Sequence, residues 1–85
     1  MISAHYRFTK EFLDALELDG VFLNPAQLSR LLAEARDIAQ QVGTDSAPVA
    51  YAEIRRLLTT TNPEVAVADS MRLFAQHLLD AHPVS

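Results

Sequence analysis

The side chains best suited to chemistry gather near the C-terminal end of the sequence: His77, Asp80 and His82. A metal held on one helix needs ligands three or four positions apart, so that they share a face. His77 and Asp80 meet that spacing. His82 does not, unless the helix frays after Asp80. His5, the remaining histidine, is too isolated for the sequence to join it to them. Histidines near a helix C-terminus ordinarily answer the helix dipole and solvent, so no metal site and no cofactor are assigned. Cysteine is absent, which removes thiolate zinc sites, iron–sulfur clusters, cysteine nucleophiles and disulfides together.

Serine and threonine are plentiful, but no G-x-S-x-G, glycine-rich phosphate loop or H-E-x-x-H accompanies them. Two glycines in the whole sequence do not build a phosphate cradle. Glu11, Asp14, Glu17 and Asp19 cluster, yet on a helix they wrap over an exposed face and read as solvated charge. Gly43-Thr44-Asp45-Ser46 superficially resembles the attachment serine of acyl carrier proteins. In that family a long loop precedes the serine; here a strong amphipathic helix runs straight into it, and Pro48 occupies the place of an apolar recognition residue. Helix capping explains Asp45-Ser46, and Asp69-Ser70 falls on the solvated face of a helix. A chain of 85 residues also has little bulk with which to enclose a substrate pocket. The expectation is a protein that is not an enzyme.

Arg55-Arg56, followed by three threonines, invites a helix-turn-helix reading in which they face DNA phosphates. Against it, the net charge is −4 and the pI near 5.1. The seven cations (Arg7, Lys10, Arg30, Arg36, Arg55, Arg56 and Arg72) are scattered rather than clustered. Glu53 lies three residues before Arg56, the spacing of a surface ion pair. Nucleic-acid binding through Arg55 and Arg56 stands as the alternative reading only.

The elements that position these residues are helical. Proline and glycine punctuate the chain with the asymmetry of helices, proline in the first turn and glycine just past the end. The first helix is expected from about Ala4 to Leu18, with Phe8, Phe12, Leu13 and Leu16 at helical spacing and Ile2 and Tyr6 extending the stripe; Asp19-Gly20 ends it. Asn24-Pro25 reads as N-cap and first helical position. The second helix runs to Val42 along Leu28, Leu31, Leu32, Ala35, Ile38, Ala39 and Val42, and Gly43 closes it. Thr44-Asp45-Ser46 supplies capping oxygens for a third helix over about 47–60, with Ala50, Ile54, Leu57 and Leu58 inward and Tyr51 beside them. Asn62-Pro63 repeats the earlier cap and predicts a fourth helix over 63–81, with Glu64 in its first turn. Its stripe is Val67, Ala68, Met71, Phe74, Ala75, Leu78 and Leu79. No segment shows the alternation of a strand. The fold expected is all-α, a single domain of four helices packed as a bundle across residues 1–85.

Hydrophobic residues are 49% of the sequence, and no disulfide or metal supports the core. An extension of that core across a subunit interface therefore carries weight. Leu13, Leu18, Leu73 and Leu79 make some helices apolar on more than one side, more than a four-helix monomer needs to bury. Val21-Phe22-Leu23 is the segment of greatest interest. It either folds inward as a plug over the end of the bundle or projects as an apolar anchor for another chain. Val21, Phe22 and Leu23, with Tyr6 and Phe8 as outer contacts, are the candidate partner-binding residues. The partner is another protein chain, or a second copy in a homodimer. No apolar run approaches the roughly 18 residues of a membrane span, and Met1 to Lys10 lacks the apolar region of a signal peptide, so a cytoplasmic location is expected. Arginine outnumbers lysine six to one, a bias of GC-rich bacterial genomes. The expectation is a small bacterial interaction module, of the adaptor, chaperone, immunity or regulatory kind.

Overall fold

Serine and asparagine oxygens start three of the four helices. The structure, a computed structural model, describes residues 3–81. In chain order the helices are α1 (Ala4–Leu18), α2 (Pro25–Val42), α3 (Ala47–Thr61) and α4 (Val67–Ala81). Ser3 Oγ accepts from the Tyr6 N–H at the start of α1. Asn24 and Gln27 form a reciprocal capping box at the start of α2, with Pro25 in the first turn. Ser46 Oγ accepts from the Val49 N–H at the start of α3. Each such cap satisfies an N–H that the helix itself leaves orphaned.

Gly20 and Gly43 end α1 and α2 in the same way. Both have positive φ, 71° and 74°. In α1, Val21 N–H donates to Leu16 O and Gly20 N–H to Glu17 O; in α2, Thr44 N–H donates to Ala39 O and Gly43 N–H to Gln40 O. These are two Schellman motifs, which need a left-handed residue at the turn and so favour glycine.

The fourth helix begins later than the sequence suggests. The β-branched run Thr59-Thr60-Thr61 does not stop α3. Each hydroxyl donates to the carbonyl four residues back, at Arg55, Arg56 and Leu57, and the helix carries on to Thr61. Asn62 is thereby consumed as the C-cap of α3, its N–H donating to Leu58 O. Pro63 disfavours helical backbone at Asn62, which lies at φ −133°, ψ 71°. Val65 N–H then donates to Asn62 O in a turn, and α4 starts at Val67 with Ser70 N–H donating to Ala66 O. Glu64 lies in this connection. Asp69 takes the first-turn position instead and pairs with Arg72.

Each helix contributes one large, fully buried side chain: Phe12, Leu31, Ile54 and Met71. Burial of such a side chain stabilises the fold by about 1.5–3 kcal/mol. Alanines 35, 47, 50 and 75 lie between them and allow the helices to approach closely. α2, α3 and α4 pack against one another pairwise, and α1 packs chiefly on α3. Arg36 of α2 also reaches α1: its guanidinium lies 5.6 Å from the centre of the Phe8 ring and donates to Thr9 Oγ1 at 2.7 Å. Ser70, expected on a solvated face, is instead buried beside Met71. Among the described residues there is no strand, and no helix is long and apolar enough to cross a membrane.

Candidate functional site

The Schellman turn at Gly20 divides the Val21-Phe22-Leu23 segment between two environments. Val21 is the residue whose N–H closes the motif on Leu16. Both side chains are buried, the apolar contact that usually accompanies this cap. Leu23 is half-buried against the core. Phe22, between them, points away and is 82% exposed. Leu18, in the last turn of α1, is 89% exposed. An inward and a projecting side chain thus both occur, in adjacent residues.

Tyr6 is 55% exposed on the outer side of α1, on the same helical face as Leu13. Phe8 is not an outer contact. It is buried, stacks on Phe12 with ring centres 6.3 Å apart, and is covered by Arg36. Its position two residues after Tyr6 turns it about 200° around the helix, into the core.

The corner formed by the end of α1 and the following loop is held from beneath. Asp19, the residue before Gly20, accepts from the Tyr51 hydroxyl at 2.5 Å and from Arg55 Nη1 at 3.4 Å. Tyr51 is itself buried, edge-on to Phe12 with ring centres 5.4 Å apart. Its burial, followed by the hydrogen bond to Asp19 and the negative charge there, pushes the Tyr51 hydroxyl well above its ordinary titration range. The Arg55 charge opposes this. Tyr51 therefore remains a neutral donor, and α3 anchors the end of α1 by a hydrogen bond and an ion pair. An open groove of about 310 Å³ lies alongside, lined by Leu13, Leu16, Val21, Phe22 and Leu28, with Glu17 among them.

A second apolar surface runs over α3 and α4. A groove of about 330 Å³ crosses Ile38, Ile54, Leu57, Leu58 and Phe74. It shares Leu58 and Phe74 with a neighbouring hollow that reaches Val65 and Leu73. Leu57, expected to face inward, is exposed, and Leu73 is 57% exposed. The signal for this surface is present in the sequence as the adjacent pairs Leu57-Leu58 and Leu73-Phe74. Neighbours on a helix diverge by about 100°, so both members of a pair do not point into one core.

The other candidate residues do not assemble. Arg55 is engaged by Asp19, and Arg56 is held by both oxygens of Glu53, at 2.5 and 3.2 Å. Hydrogen bonding to Arg56 holds the Glu53 carboxyl below its usual range. The two arginines thus face separate carboxylates of their own chain. At the C-terminal end, Asp80 accepts from Gln76 Nε2, which places Asp80 in a chain of hydrogen bonds running from Gln27 through Gln76. His77 is exposed, and His82 lies outside the described residues. Among the described residues, no three histidine or acidic side chains come together as metal ligands. Ser46 is occupied in capping α3, its Oγ accepting from the Val49 N–H, while the Ser46 N–H donates to Thr44 Oγ1. In comparisons with known proteins, no protein family, no curated protein and no solved structure matches this chain.

Proposed function

We propose that this chain is a non-catalytic protein–protein interaction module that docks another chain through the corner made by Leu18, Phe22 and the groove beside them. The observation that carries the reading is the exposure of two large apolar side chains, Leu18 and Phe22, on a backbone fixed from several sides. A Schellman motif sets the turn, Val21 pins it to the core, and α3 holds Asp19. Apolar side chains on a mobile tip would lose much of their binding energy to ordering. Presented on a fixed turn they cost less to immobilise, which suits an interface anchor. Leu13 continues the apolar surface along α1, Tyr6 lies two turns beyond it on the same face, and Val21 and Leu23 support the surface from below.

The test compares the wild-type chain with a Leu18→Ser/Phe22→Ser double variant, using light scattering after size exclusion together with copurification from the native source. The expected result is a second chain, of this protein or another, retained by the wild type and lost by the variant, with helical content unchanged. A wild type that is monomeric and holds no partner overturns the proposal. So does a complex that survives the double substitution intact.

A further inference from the structure

We infer that the α1–α2 corner takes a cationic amphipathic segment of a partner protein, with apolar side chains entering the groove and lysine or arginine lying over its acidic rim. The inference rests on the corner being the docking site proposed above and specifies its occupant. Between Glu11 and Ser29 the chain carries Glu11, Asp14, Glu17 and Asp19 and no lysine or arginine. Asp19 is turned inward to Tyr51 and Arg55. Glu11 and Asp14 meet Arg7 and Lys10 at 3.9 and 3.2 Å in solvent-exposed pairs along α1. Such pairs are worth little and exchange readily for other partners. Glu17 has no ion pair among the described residues. It lines the apolar groove and also, with Asp14 and Leu18, the adjoining hollow on the outer side of α1.

Acidic and apolar positions therefore interleave. Leu13 and Glu17 share one helical face, and Asp14 and Leu18 the next, each pair four residues apart. A helix with aliphatic residues on one stripe and cations flanking it matches both patterns at once. Two copies meeting corner to corner bring the same carboxylates to face Asp14 and Glu17 in a molecule of net charge −4, so the occupant is a cationic segment rather than the corner of a second copy. An acidic partner meets the same repulsion.

The experiment titrates the full chain into a fluorescein-labelled helical peptide of leucine and lysine, with the leucines at helical spacing. A companion peptide carries glutamate for every lysine. Binding is followed by anisotropy at low and at about 150 mM salt, and its location by amide shifts of the ¹⁵N-labelled chain. The lysine peptide is expected to bind, with shifts centred on residues 17–23 and loss on Phe22→Ser. The glutamate peptide should bind at least about tenfold more weakly. An Asp14→Lys/Glu17→Lys variant, altered only at exposed positions, should lose about tenfold at low salt and less at higher salt. Equal binding of both peptides at the corner overturns the cationic preference and leaves the docking site standing. Binding that ignores Phe22→Ser and shifts amides elsewhere overturns both. Failure of the lysine peptide to bind overturns this inference alone.

Discussion

The α1–α2 corner and the α3–α4 surface are both apolar and open to solvent, but they are built differently. At the corner the exposed side chains stand outside the packing. Val21 and Leu16 fill the core beneath, and Phe22 and Leu18 are not among the side chains packed against it. Across α3 and α4 two of the lining residues serve two sides. Leu58 and Phe74 line the groove and also pack against the buried cluster. Acidic side chains frame the corner, whereas Asn62 and Ser70 are the polar neighbours of the hollow at Val65 and Leu73, and Glu34 and Thr61 those of the adjoining groove. An exposed apolar side chain that supports no core has no role in the isolated fold. One that half-covers a core is already accounted for by stability; Leu57 and Leu73 are exposed as well, but less than Phe22 and Leu18, which is why the proposed docking role is placed at the corner.

The widest separation between the two regions is expected in unfolding by urea. Phe74→Ala should cost about 2–3 kcal/mol, because it removes a ring that packs on the core. Phe22→Ser should change stability by less than about 0.5 kcal/mol. A comparable loss in both variants would make Phe22 a structural plug and erase the distinction. Gly20→Ala comes next. No atom lies within 4 Å of the added methyl group, so the cost comes only from the positive φ of 71°. A loss of about 1 kcal/mol is expected, together with weaker docking, if a fixed turn is what presents Phe22. Unchanged docking would show that the corner need not be rigid.

A modest effect at neutral pH belongs to Tyr51→Phe. It should cost about 1 kcal/mol by removing the hydrogen bond to Asp19. Its pH dependence is the sharper readout. The folded-state pKa of Tyr51 is raised above the unfolded value of about 10. The unfolded chain therefore releases its proton at lower pH than the folded chain. Stability from this group is complete below about pH 10 and falls as pH rises beyond it. Tyr51→Phe should flatten that alkaline decline relative to the wild type, as measured by thermal or urea unfolding across pH 8–11.

Much of this architecture is legible in the residues themselves. Asn24-Pro25, Ser46, Gly20 and Gly43 mark helix ends because each supplies something the backbone needs there: an oxygen, a fixed φ or a permitted positive φ. The Asn-Pro dipeptides show where local reading stops. Asn24-Pro25 follows a glycine stop and a short extended segment, so its oxygen is available to begin a helix. Asn62-Pro63 follows threonines that hydrogen-bond their way through the last turn of α3, so the same dipeptide ends a helix. The candidate site was legible as a segment and not as residues. A run of three apolar side chains carries no periodicity, and only the turn geometry at Gly20 decides that Val21 goes in and Phe22 out. Phe8 reads as an outer contact for the reverse reason, since its nearness to Tyr6 in sequence conceals their separation around α1.

The start of α4 has a practical consequence. Ala66 occupies the position where the other three helices place Ser3, Asn24 and Ser46, and alanine offers no side-chain oxygen to the first turn. This joint is consequently the natural site for thermostabilising engineering. Aspartate or serine at position 66 should contribute about 1 kcal/mol, giving a hardened scaffold whose α1–α2 corner is untouched and on which loss-of-docking variants can be compared without unfolding.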